Sequence, residues 1–267
     1  MNSDCVSRLL HHGQRTPRAI VFLHGITSSP RQFLELGQVF HRNNYTVLIP
    51  RMPLHGFIDR RTDAPRNLKE QDFIDYASSA VNSAKTFADS VTLVGLSVSG
   101  AITAYCAQTR TDIDLAVLLA PAFAPWTLPI RAVKPVSSAI KRLPNMNVAW
   151  DPVKRDTIGP PCSYPRFSTR AMAEAFSLAA DVYAQAQHEP PKTKNILCVI
   201  NKQDLAVNSR ATKAVLQAWQ NHGAHVNLHE FTTQVGSLHD FIGPYQPGAR
   251  PDFVYPILYQ LIDQRSA

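Results

Sequence analysis

The run Ser90-Val91-Thr92-Leu93-Val94-Gly95-Leu96-Ser97-Val98-Ser99-Gly100-Ala101 constrains this chain more than any other stretch. Val91, Leu93 and Val94 read as a core strand, after which small residues crowd around Ser97. The pattern is G-x-S-x-G with Ser99 in the last small position. A serine on a sharp strand-to-helix turn holds a strained backbone, and bulky residues two positions away would strike the adjoining helix and strand. The turn lifts the hydroxyl clear of the sheet and aims it at a helix N-terminus, where the next backbone N–H can stabilise an oxyanion. Ser97 is therefore a candidate nucleophile.

The rest of the chain supplies a frame for such a turn. Ala19 to Leu23, Tyr45 to Ile49, Leu115 to Leu119, Asn195 to Ile200 and Val226 to Phe231 read as short apolar strands. Between them, 31–42, 67–88, 101–109, 169–187 and 209–221 read as helices, and 253–263 as a last helix interrupted near Pro256. Alternating strands and helices predict an α/β protein whose mostly parallel sheet carries helices on both faces. From Pro121 to Pro191 no strand is clear, and nine prolines fall between Pro121 and Pro165. A structureless loop of that length is improbable inside a compact domain. The expected organisation is a core of residues 1–120 and 166–267 with a cap inserted at 121–165.

Composition narrows the function classes. No apolar run approaches the roughly 20 residues of a membrane span. The polar N-terminus with Asp4 is unlike a signal peptide, which points to the cytoplasm and against stable membrane insertion. Cys5, Cys106, Cys162 and Cys198 have no metal-ligand spacing, so neither a disulfide nor a metal is expected. Of the net charge of +7, the stretch 121–194 carries ten basic against five acidic residues. That is a solvated basic surface, or an attraction for an anionic substrate or membrane surface. No basic–aromatic motif points to nucleic acid. Oligomeric state is not readable.

A serine hydroxyl needs a base, commonly a histidine oriented by a carboxylate. Among ten histidines, His239 stands out because it follows the last strand in the small, polar loop Gly236-Ser237-Leu238-His239-Asp240. Asp204, in the loop Asn201-Lys202-Gln203-Asp204-Leu205-Ala206-Val207, lies just past a strand end, where catalytic groups gather in such sheets. Asp240 is the fallback carboxylate.

In the order Ser97, Asp204, His239, the sequence resembles the α/β-hydrolase superfamily. The loop His24-Gly25-Ile26-Thr27-Ser28-Ser29-Pro30 makes it similar to bacterial carboxylesterases and monoacylglycerol lipases, which carry a His-Gly-aromatic-Thr-Ser-Ser-Pro stretch. The resemblance runs from about Ala19 to Asp263 and implies the α/β-hydrolase fold with an inserted cap. It implies an oxyanion hole from the N–H groups of Ile26 and Val98, a structural His24, and no cofactor. Three departures stand out: Ser99 replaces a glycine, Ile26 replaces the aromatic, and only about eighteen residues precede the first strong strand. The segment 7–12 is the candidate remnant of a leading hairpin.

The expected chemistry is hydrolysis of a small-molecule carboxylic ester through an acyl-enzyme on Ser97. The same triad serves thioesterases, amidases and carbon–carbon bond hydrolases, and a non-catalytic ligand-binding protein is the alternative from another class. Trp126, Leu128, Ile130, Val133, Ile140, Leu143, Met146, Val148 and Trp150 are candidate pocket walls, or packing between cap and core. Arg51 and His55 are candidate contacts to a polar substrate group, or parts of a rigid proline-bounded loop.

Overall fold

The computed structural model describes residues 2–151, 153 and 162–264. The chain runs β1 (Arg8–Leu10), β2 (Thr16–Leu23), α1 (Leu34–Arg42), β3 (Tyr45–Ile49), α2 (Glu70–Lys85), β4 (Ala88–Leu96) and α3 (Val98–Thr109). It continues through β5 (Leu115–Leu119), α4 (Ile130–Arg142), β6 (Asn147–Ala149), β7 (Arg166–Ser168), α5 (Thr169–Ala186), β8 (Asn195–Asn201), α6 (Ser209–Asn221), β9 (His225–Phe231) and α7 (Pro251–Asp263). Seven strands form one sheet in the order β1-β3-β2-β4-β5-β8-β9. All neighbours are parallel except β1, which pairs antiparallel with β3 through Arg8 opposite Ile49. The three-residue edge strand β1 lies within the segment 7–12 and pairs with β3, not with its chain neighbour β2.

The apolar runs become strands because both sheet faces are covered. Ala19, Val21 and Leu23 point into one core with α2, α3, α5 and α6, whereas Ile20 and Phe22 point into a second with α1 and α7. A strand buried on both faces needs apolar residues at successive positions rather than alternation. Helix α3, directly after Ser97, is almost entirely buried and packs on α5.

Three expectations are corrected here. The stretch 121–191 does contain strands, since β6 and β7 form a small antiparallel sheet with Val148 opposite Phe167. That pairing straddles the expected cap boundary at 165. Helix α7 is continuous through Pro256, whose ring lies on the exposed side, where water can satisfy the carbonyl of Asp252 that loses its donor. Helix α2 is shorter than 67–88, because Asn67 closes a separate 3-10 turn (Ala64–Asn67), Leu68 is not helical and β4 begins at Ala88. Helix α4 buries Ile130, Val133 and Ser137 while Lys134 reaches Asp181 of α5 at 2.5 Å. Among the described residues, no helix is long and apolar enough to cross a membrane.

Candidate active site

The parallel sheet delivers three loops to one edge, those after β4, β8 and β9. Ser97 sits between β4 and α3 at φ 60, ψ −120, a conformation that costs an L-residue free energy and persists only under constraint. The constraint is visible. The Ser97 N–H donates to Leu119 O (2.9 Å), and its carbonyl accepts from the N–H of Ala122 (2.9 Å). A Cβ on Gly95 would lie 2.0 Å from Ser99 O, and one on Gly100 would lie 2.9 Å from Pro121 Cα. Only glycine fits at these two approaches. Ser99 does fit, because its hydroxyl donates to the carbonyl of His24 at 2.5 Å and is fully buried. The departure from glycine thus ties α3 to the loop after β2.

The Nε2 atom of His239 lies 2.8 Å from Ser97 Oγ, and Nδ1 lies 2.6 Å from Asp204 Oδ2. The Asp204 side chain is only 1 % exposed. Its Oδ1 accepts the Ala206 N–H at 2.8 Å, which leaves Oδ2 to the imidazole. Asp240 faces elsewhere: it accepts from Gln32 Nε2 and from the N–H groups of Ile242 and Gly243, and so braces its own loop.

The loop after β2 has an orderly hydrogen-bond account. The N–H of Gly25 donates to Gln32 Oε1 (2.8 Å), that of Thr27 to His55 Nε2 (3.2 Å) and that of Ser28 to Gly25 O (3.0 Å). Among the described residues, the Ile26 N–H has no such partner. The same holds for Val98, whose N–H opens α3 and has no intrahelical carbonyl to reach. Buried N–H groups are normally paired, so these two donors without a protein partner stand out.

Ile26 and Ser97 line a cavity of about 320 Å³ whose walls include Trp150, Tyr164, Leu238 and Tyr245. Arg51, Trp126 and Leu128 are not in that lining. Trp126 is 56 % exposed, and Leu128 is partly buried against the hydrophobic core. Arg51 lies beside the buried His24 and His55, with its backbone N–H on Ser7 Oγ. Of the nine apolar residues expected as pocket walls, Trp150 lines the cavity.

The sequence profile of the alpha/beta hydrolase family matches residues 20–241. The chain belongs to the alpha/beta hydrolase family. A thermostable monoacylglycerol lipase from Bacillus sp. (strain H-257) is 25 % identical over 105 residues, a stretch that spans 38 % of this chain and 40 % of that protein. A structure of the metagenome-derived lipolytic enzymes LipS and LipT superposes with a TM-score of 0.73 at 15 % identity, covering 99 % of each chain. The monoacylglycerol lipase of Paleococcus ferrophilus superposes at 0.71 with 16 % identity, covering 97 % of this chain and 98 % of the other. At such identities the structural likeness speaks for the hydrolase fold.

Within this hydrolase scaffold, several residues that sequence reasoning passed over hold the site. Asn201, fully buried at the end of β8, donates through Nδ2 to the carbonyls of Gly236 (2.9 Å) and Leu238 (2.8 Å) and so fixes the loop that carries His239. Gln32 bridges Gly25 and Asp240, coupling the loop after β2 to the His239 loop. The segment between α4 and α5 reaches the same place through Trp150 Nε1, which donates to Thr27 Oγ1 at 2.9 Å, and through the Tyr164 N–H, which donates to Thr27 O at 2.6 Å. No sequence pattern announces these bonds, although the polar Asn201 ending an apolar strand is a usable hint.

Proposed function

We propose that this protein hydrolyses carboxylic esters through an acyl-enzyme on Ser97. The observation that carries the reading is the continuous Asp204–His239–Ser97 hydrogen-bond line at the floor of a cavity, beside the two spare N–H donors. In this reaction His239 Nε2 takes the Ser97 proton as Oγ attacks the ester carbonyl. The N–H groups of Ile26 and Val98 hold the resulting oxyanion, and Asp204 keeps the proton on Nδ1 and stabilises the imidazolium. Collapse of the intermediate breaks the bond to the alcohol, which leaves with the proton from His239. Water, deprotonated by His239, then attacks the acyl-enzyme and releases the acid and the serine.

The lipase and esterase names among the relatives support an ester over an amide or thioester. The cavity of about 320 Å³ is at the small end for ligand sites and favours esters with short or medium acyl chains, or monoacylglycerols. The test is hydrolysis of a p-nitrophenyl ester series from acetate to palmitate, with Ser97→Ala alongside. The expected result is serine-dependent turnover that peaks at short to medium chains. Folded protein without turnover on any length, or a fully active Ser97→Ala, rejects the reading.

A further inference from the structure

Behind the loop after β2 lies a buried imidazole pair that the ester-hydrolase mechanism does not use. His24 and His55 are 0 % and 1 % exposed, with ring centroids 5.5 Å apart. His55 comes from the proline-bounded turn after β3 and does not itself line the cavity. Its Nδ1 donates to Pro53 O at 2.9 Å, which fixes the tautomer and turns Nε2 into an acceptor. That acceptor takes the N–H of Thr27 at 3.2 Å. Thr27 sits at φ 68, a left-handed conformation that a β-branched residue adopts only when held there. From the other side Tyr164 stacks on His55 at 5.3 Å while its own N–H holds Thr27 O.

The peptide that presents the Ile26 N–H is therefore fixed at both flanks, by Gln32 on Gly25 and by His55 on Thr27. We propose that His55 is a positioning residue for the oxyanion hole: its neutral Nε2 holds Thr27 and thereby aims the Ile26 N–H at the oxygen that forms above Ser97. The inference rests on the ester-hydrolase reading for its catalytic meaning but on geometry alone for the bond. A donor misplaced by about 1 Å forfeits on the order of 100-fold in rate, similar to the loss of an oxyanion donor.

The experiment compares wild type, His55→Leu and His55→Gln on the best ester of the series, with kcat and KM separated. Leucine fills the space without an acceptor, whereas the Gln Oε1 can reach the place of Nε2. The expected result is a kcat lowered about 10- to 100-fold in His55→Leu with KM within about twofold, and recovery of most of that loss in His55→Gln. Equal kcat for His55→Leu and wild type, or no advantage of Gln over Leu, overturns the inference. If wild type cleaves no ester, the functional reading fails on its own, and the rate of Ser97 labelling by a fluorophosphonate replaces turnover in the same comparison. If His55→Leu does not fold, long-range ¹⁵N–¹H spectra of wild type decide. A neutral ring with the proton on Nδ1 and Nε2 in a hydrogen bond supports the inference. A proton on Nε2 ends it.

Discussion

At the scale of single residues, the two oxygens of Asp204 have separate duties, and this sets up a sharp prediction. Oδ1 accepts the Ala206 N–H and Oδ2 faces His239 Nδ1. In Asp204→Asn the backbone N–H still demands an acceptor, so the amide oxygen stays with Ala206 and the NH₂ turns toward the imidazole. His239 must then accept at Nδ1 and carry its proton on Nε2, where it can no longer take one from Ser97. The expected outcome is a fall in kcat of about 10⁴-fold with KM little changed, read from steady-state kinetics, while the melting temperature stays near that of wild type. A loss below about tenfold would show that Asp204 does not set the tautomer. Ser97, Asp204 and His239 could be picked out in the sequence because each lies in a loop after a strand, and the parallel sheet brings those strand ends to one edge. His55 was legible only as a histidine near that edge. Its partner Thr27 lies 28 residues away, and the bond needs the Nδ1 contact to Pro53 that no spacing reveals.

At the scale of elements, the junction of β4 and α3 is where strand, turn and helix have to agree. Gly95 is the last position before the turn at which the first coil of α3 can close against the strand, since an added Cβ would meet the Ser99 backbone at 2.0 Å. The two nearest atoms are Ser99 backbone, and Thr103 Oγ1 crowds the same space at 2.5 Å, so relief requires α3 itself to move. Gly95→Ala should destabilise the protein by about 3 kcal/mol or more, at the upper end for overpacking, as measured by the urea midpoint. An unchanged midpoint would mean that α3 can shift away from the sheet. The same element logic explains which parts of the fold the sequence announces. Strands β2, β4, β5 and β8 are buried on both faces, so their apolar runs stand out. Strands β6 and β7 have three residues each and little buried surface, so β6 reads as loop. Helix α4 hides behind Pro135, which the helix tolerates because that residue faces solvent.

At the scale of the whole molecule, the buried imidazoles couple stability to pH. Burial, then the charge of His55 and Arg51, pushes His24 down to about 3 against the pull of its bond to Gly25, and burial pushes His55 down to about 4 despite its bond to Pro53. Tyr76 and Tyr164 pack against the pair and stay protonated throughout the acidic range, since burial raises both. Unfolding exposes both rings to water, where they bind protons near 6.5. Between that value and about 4 the unfolded chain holds more protons than the folded one, so stability rises with pH across this window and falls as the solution is acidified. Above 6.5 both states hold neutral rings and the contribution is flat. At pH 5 each ring should remove about 2 kcal/mol relative to pH 7, enough to be a large share of a domain's total stability. Urea unfolding at pH 7, 6 and 5 should therefore show a falling midpoint, and His55→Gln, which cannot titrate, should flatten about half of that fall. A variant with the same pH slope as wild type would place the acid sensitivity elsewhere. Because these rings sit directly behind the loop that presents Ile26, the bonds that acid unfolding breaks include those that shape the oxyanion hole.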